Sequence, residues 1–259
     1  MERVAVIVGA GSKHDKGGGE TEMKPTARWG LGGALALRFA KGGFHVALFG
    51  RRLDVLEAVL AEVMAQGGKG SVHRCDVGDD ADVQTAFSAA KANGPIEVVV
   101  FNASGGLPPG RSFSNLPLPH EVESSYLNDV FNISVTGCLR CVREAVPEML
   151  KRGRGTILLS GATMALRGGA KFACLSPVKF ALRSLGQSMY QEYAPKGIHV
   201  AHVIIDGVIE SPNTKDWGTA LQDPGELADA FFQLHEQKPT VWSYEIQLSP
   251  SQGALGQRL

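Results

Sequence analysis

Apolar residues along this chain recur with two alternating periods. Val4 to Val8 ("VAVIV") is a β-branched run with no polar face, and "LGGALALRFAKGG" from Leu31 carries apolar positions at helical spacing before a glycine stop. "HVALF" at 45–49 predicts a second strand, after which Leu53, Leu56, Leu60 and Val63 line one helix face. "GSVHRCDV" at 70–77 precedes a helix bearing Val83, Phe87 and Ala90, and "IEVVVFNAS" at 96–104 predicts the fourth strand. A long helix is expected from about Glu121 to Arg152, followed by strand "GTILLSG", helix 177–193 and strand "HVAHVIID". "DPGELADAFFQLHEQ" and "YEIQL" close the series.

Strands apolar on both faces, separated by amphipathic helices, imply a parallel sheet covered on both sides. The expected fold is therefore a single doubly wound α/β domain over residues 1–259, with about seven strands and ligands at their carboxyl ends. Three irregular segments, 13–29, 105–120 and 208–224, each follow a strand. They belong on the ligand side, where they would shape a pocket. No internal repeat or low-complexity tract interrupts the pattern.

Composition narrows the partner. The 259 residues are 44% hydrophobic and carry 26 basic against 26 acidic side chains, so the formal net charge is zero. That balance, without a long basic run, argues against nucleic acid or an anionic membrane and for a small-molecule partner. The first strand begins almost at the initiator Met and no apolar stretch approaches spanning length, so the expectation is a soluble cytoplasmic protein. Cys75, Cys138, Cys141 and Cys174 do not suggest a disulfide framework. Cys138 and Cys141 form a CxxC inside a helical pattern, read as packed thiols with a redox or metal role as the alternative. No metal-ligand set is expected.

Gly9, Gly11 and Ser12 follow the first strand, whereas Gly30, Leu31, Gly32 and Gly33 open the first long helix. Glycines in this context let backbone amides and the helix dipole hold a pyrophosphate. Seventeen residues, Lys13 to Trp29, interrupt the turn with glycines and with Lys13, Lys16, Lys24 and Arg28, which reads as a flap over the phosphates. The alternative is that Gly32 and Gly33 merely allow a helix to lie close to the sheet.

With this split glycine set, the sequence carries "CDV" at 75–77, "NAS" at 102–104, Lys179 and "DGVIES" at 206–211. In combination these resemble the short-chain dehydrogenase/reductase family over nearly the whole chain. The resemblance implies a Rossmann fold, a homodimer or homotetramer, and a dinucleotide held by Gly9, Gly11, Ser12, Gly30, Leu31 and Gly32. It implies further contacts from Asp76 and Val77, Asn102, Ala103 and Ser104, Lys179, and Asp206, Gly207 and Ile209. Phe101, Ser104 and Asp206 depart from the family's usual residues. The second strand ends in "FGRR", so Arg51 and Arg52 stand where NAD-selective sites place a carboxylate; this points to NADP(H), against two solvated arginines.

The family's catalytic set is where the match fails. Counting back from Lys179 puts Leu175 at the Tyr position and Ala162 at the Ser position, and Ser134 falls where the family has Asn. Lys179, with Ser134, is what remains. A phenol normally gives its proton to a carbonyl as hydride arrives, and leucine has none to give. Ser160, Thr163, Cys174, Ser176, His120 and Lys171 are candidate substitutes, while Ser176 and Pro177 also read as a helix start with Leu175 stapled to Phe180. Two functions stay open: an NADP(H)-dependent oxidoreductase with an atypical site, and a non-catalytic scaffold on the same fold.

Overall fold

The computed structural model describes residues 2–11, 22–217 and 220–252. Its elements are β1 (Val4–Val8), α1 (Pro25–Arg28), α2 (Gly30–Lys41), β2 (His45–Gly50), α3 (Leu53–Ala65), β3 (Lys69–Arg74), α4 (Asp80–Lys91) and β4 (Ile96–Phe101). Then come α5 (Ser124–Phe131), α6 (Gly137–Arg152), β5 (Gly155–Ala162), α7 (Ser176–Tyr193), β6 (Ile198–Ile205), β7 (Val208–Ile209), β8 (Leu221–Gln222), α8 (Pro224–Glu236) and β9 (Glu245–Leu248). Seven parallel strands pair in the order β3-β2-β1-β4-β5-β6-β9, and β7 pairs with β8 in a separate ribbon. The order reverses between β1 and β4, which is where doubly wound sheets open a crevice.

Strand periodicity explains the two layers. Val4, Val6 and Val8 point into one core with α4, α6 and α7, while Ala5 and Ile7 point into the other with α2, α3 and α8. Phe49 meets Phe87 edge to face at 5.1 Å, anchoring α4 to the sheet. No helix among the described residues is long and apolar enough to cross a membrane.

Three local expectations change. The helix expected as continuous from 121 to 152 is a 3₁₀ turn at Pro119–Glu121, α5, a π turn at Asn132–Thr136, and α6. The π turn releases backbone acceptors, and Arg140 Nη1 takes the Asn132 carbonyl at 3.4 Å and its side-chain oxygen at 2.9 Å. Ser176 is the first helical residue of α7, not its cap: its hydroxyl donates to Met164 O at 3.2 Å and Arg167 O at 3.0 Å, which ties the turn after β5 to the helix. The staple from Leu175 buries little, since Phe180 is 40% exposed.

The insertion is the third change. Residues 13–21 lie outside the described residues, as does Ser12, but its end is not a loop. Pro25–Arg28 form a helical turn, Lys24 pairs with Asp223 at 3.3 Å, Arg28 pairs with Glu62 at 3.9 Å, and Trp29 is buried. The segment 208–224 is likewise not wholly irregular, because β7 and β8 pair within it.

Helix α4 follows the strand end bearing Asp76, and Asp79 caps it by accepting from Asp82 N at 2.9 Å. Asp79→Ala should cost about 1 kcal/mol of folding stability. A lowered urea midpoint at unchanged slope is the expected result; an unchanged midpoint contradicts the cap.

Candidate active site

The site begins where β1 ends. Gly9 and Ala10 donate to Phe49 O at 2.9 and 3.2 Å, so the chain turns across the end of β2. Asn102 joins the crevice: its backbone amide donates to Val8 O at 2.9 Å and its side-chain amide donates to Gly9 O at 3.1 Å. Gly9 has φ of 82°, and a Cβ there would stand 2.8 Å from Ala103 N. A Cβ on Gly32 would stand 2.2 Å from Gly9 O, so only glycine lets α2 start against the turn. Gly30 has φ of 62° and turns the chain from α1 into α2.

Gly11, Gly30, Leu31 and Gly32 border a cavity of about 670 Å³. The amino end of α2 thus meets the cavity without a long side chain between, an arrangement suited to an anion. Trp29 also lines it, and a Cβ on Gly33 would collide with the Trp29 Cβ at 2.2 Å. Among the described residues the buried indole nitrogen has no hydrogen-bond partner. The cavity continues past Asn102 and Ser104 to the end of β5, where Ala162, Thr163 and Lys179 border it. Lys179 Nζ donates to Ser160 O at 3.4 Å. Gly207 and Ile209 complete the wall after β6.

A second, smaller hollow of about 60 Å³ is bordered by Gly9, Arg51, Asp76, Val77 and Ala103. Asp76 accepts from Gly78 N at 2.9 Å, which fixes its carboxylate at the hollow's edge. Arg51 is exposed there, and Arg52 is partly buried beside it in sequence at the entry to α3.

Other expected site residues are placed elsewhere. Asp206 is fully buried and turned toward β9, accepting from Gln247 at 3.0 Å and Ser249 at 2.8 Å. Ser134 is buried in the π turn, where it accepts from Gly105 N at 3.1 Å. It therefore steadies the loop after β4 and does not border the cavity. Ala162 borders the cavity and Leu175 does not. Among the proposed substitutes Ser160 and Thr163 border it, whereas Cys174, Ser176, His120 and Lys171 do not. Tyr126 donates to Gly106 O at 2.8 Å, and burial pushes its phenol up to about 12. Cys138 and Cys141 both face the core, and burial raises both thiols.

Phe113, Met164, Arg167, Phe172 and Trp217 line the cavity without having been singled out in the sequence, as does Trp29 as a wall. Their signal was position, since each sits in a segment that follows a strand end.

Beneath Gly161 a polar cluster supports this wall. His202 is wholly buried on β6, its Nδ1 lies 2.9 Å from Glu245, and a Cβ on Gly161 would be 2.2 Å from its Nε2. Arg183, one turn after Lys179 on α7, grips Glu245 with two bonds of 2.7 and 2.8 Å. Burial alone would raise the Glu245 carboxyl, but the Arg183 and His202 hydrogen bonds outweigh it and hold it below the usual range. Burial lowers His202.

Strand order and cavity position define a doubly wound α/β protein with its ligand site at the strand ends. The chain belongs to the short-chain dehydrogenase family, whose model matches residues 26–222. It is 29% identical over 229 residues to glucose 1-dehydrogenase from Gluconobacter oxydans, covering 87% of this chain and 81% of that one. A short-chain dehydrogenase from Rhodopseudomonas palustris has a similar crystal structure, with TM-score 0.76 and 30% identity over 96% of this chain and 98% of that chain. A metagenomic short-chain oxidoreductase solved with NADP shares the fold at TM-score 0.75 and 21% identity, covering 96% and 97% of the two chains. The family comprises oxidoreductases that use nicotinamide cofactors on small molecules.

Burial lowers His73, His199, His202 and His235 below the ordinary value of 6.5. The unfolded chain therefore binds more protons near that pH, and the stability from keeping these rings neutral is complete above it and is lost as pH falls through and below it. Denaturant midpoints should decline steadily from pH 7.5 to 5, and His202→Gln should flatten the decline. A midpoint that holds or rises on acidification contradicts this assignment.

Proposed function

We propose that this protein is an NADP(H)-dependent oxidoreductase working without the family's phenol proton donor. The supporting observation is continuity: the glycine turn at Gly9, Gly30 and Gly32 opens into the same cavity that Lys179 borders. A turn reduced to packing alone would have no need of that connection.

The residues present fit a dinucleotide. The space a Cβ would fill at Gly9 and Gly32, and the open side of Gly30, leave backbone at the amino end of α2 accessible to a pyrophosphate. Asp76, Val77 and Ala103 would border the adenine in the smaller hollow, with Arg51 and Arg52 on the 2′-phosphate side. Asn102, Ser104 and Lys179 would hold the ribose end, and Gly207 and Ile209 the ring beyond it. Asp206 would contribute through its backbone, because its buried carboxylate does not border the cavity and its Oδ2 is held by Gln247 and Ser249. A bound nicotinamide cofactor would supply a hydride at this position.

The chain's own part is to orient and to exclude water. Phe113, Met164, Phe172 and Trp217 give the outer cavity apolar walls. Against the scaffold alternative stands the open cavity, which is neither filled by side chains nor cut off from the glycine turn.

NADPH should bind more tightly than NADH, by roughly tenfold or more, the worth of one charge-assisted hydrogen bond. Arg51→Asp should narrow that gap in a fluorescence titration. Equal affinities in the unaltered protein would refute the cofactor choice.

A further inference from the structure

Among the described residues that line the large cavity there is no Tyr, His, Cys, Asp or Glu. The charged side chains there are Lys179 and Arg167, both cationic. The hydroxyls of Ser211 and Thr214 are engaged, with 2.9 Å between them and Thr214 donating to Ile209 O at 2.6 Å. Around these groups Phe113, Met164, Phe172 and Trp217 make the walls apolar. Phe113 and Trp217 meet edge to face at 5.9 Å and 71°, joining the loop after β4 to the segment between β7 and β8. Each is about half exposed, at 51% and 47%, so the pair forms an aromatic rim that a planar molecule can extend.

This lining selects among hydride acceptors. Hydride addition to an isolated ketone or aldehyde makes an alkoxide, whose conjugate acid is about as weak as water, near roughly 15.7. Such a product needs an acid in the same step; among the described lining residues that role falls to the Lys179 ammonium, which already donates to Ser160 O at 3.4 Å. Hydride transfer to a quinone oxygen makes a hydroquinone monoanion instead, whose conjugate acid is a phenol of about 10. That anion forms without a proton donor, and a neighbouring cation stabilises it. A protonated imine would also need no donor, but its charge would face Lys179 and Arg167 with no described carboxylate lining the cavity.

We propose that the cavity binds a planar conjugated carbonyl compound of the quinone class, and holds its reduced form as a delocalised oxyanion beside Lys179. The assignment of the acceptor rests on the nicotinamide reading above; the oxyanion site does not. A C–H bond of the reduced nicotinamide breaks and its hydride forms an O–H bond at one quinone oxygen; the electron pair shifts through the ring so that the other oxygen becomes the aryl oxide, and a proton from solvent later converts that oxide to the second hydroxyl. The reduced nicotinamide becomes its oxidised form. Enones share this chemistry through an enolate and form a second arm of the test. All four cysteines are buried, which shields them from arylation by a quinone.

Two measurements decide it. The first needs no cofactor turnover: 4-nitro-1-naphthol, a planar phenol with a coloured anion, is titrated with pH in the presence of excess protein, with and without NADP+. The bound dye should lose its proton about one pH unit lower than the free dye, and Lys179→Met should remove that shift while the dye still binds. A bound dye that ionises at the same or higher pH overturns the oxyanion site. The second compares NADPH oxidation with 1,4-naphthoquinone, cyclohexenone, cyclohexanone and benzaldehyde. The quinone should exceed the saturated ketone and the aldehyde by about a hundredfold in kcat/KM. Parity with either, or reduction of the enone alone, overturns the quinone assignment. A downward dye shift in a protein that fails to bind NADPH supports the oxyanion site and refutes the cofactor reading, so the two failures are distinguishable.

Discussion

The close approach of Gly32 to Gly9 is the constraint on which the site depends. A single methyl group at Gly32 would sit 2.2 Å from the Gly9 carbonyl, so the start of α2 can rest on the end of β1 only because neither residue has a side chain. Asn102 completes the join by donating to that same carbonyl at 3.1 Å, which links β4 to the turn at the point where strand order reverses. Displacing α2 would move Leu31 and Trp29 with it, and both are walls of the cavity. The polar side chain at the crevice is thus satisfied by backbone, and the cavity remains available to a ligand.

The interrupted turn becomes intelligible on these terms. The interruption falls between Ser12 and Gly30, and the chain re-enters the fold at α1, where Lys24 just before the helix pairs with Asp223 at the start of α8 and Arg28 pairs with Glu62 on α3. Gly30, at φ of 62°, then makes the reversal into α2, and Gly33 leaves the space that the Trp29 side chain occupies. Gly9 and Gly32, on either side of the insertion, meet in space although twenty-two residues lie between them in sequence. Insertions at loops cost little when their ends are already close, since closure entropy grows slowly with length.

How much was legible in the sequence follows from the range of the forces involved. The strands were readable because Val4 to Val8 and Val98 to Phe101 are apolar on both faces, a pattern that a sheet covered on both sides demands. Glycine positions were readable because a helix pressed on a strand end tolerates little else. The π turn was not, because Asn132 and Arg140 exchange their bonds through spatial proximity that no periodicity encodes. Asp206 was placed by analogy, and only its neighbours Gln247 and Ser249, some forty residues away, decide where its carboxylate points. Phe113 and Trp217 form a rim across two loops, a contact invisible to local pattern.

The central claim is that the rebuilt glycine turn is a working dinucleotide site. A crystal structure of the NADP+ complex tests it most directly. The account predicts pyrophosphate oxygens about 2.7 to 3.2 Å from backbone amides at Leu31 or Gly32, with the nicotinamide end in the cavity beside Lys179. A dinucleotide bound elsewhere, or crystals that stay free of it at saturating concentration, would contradict the account.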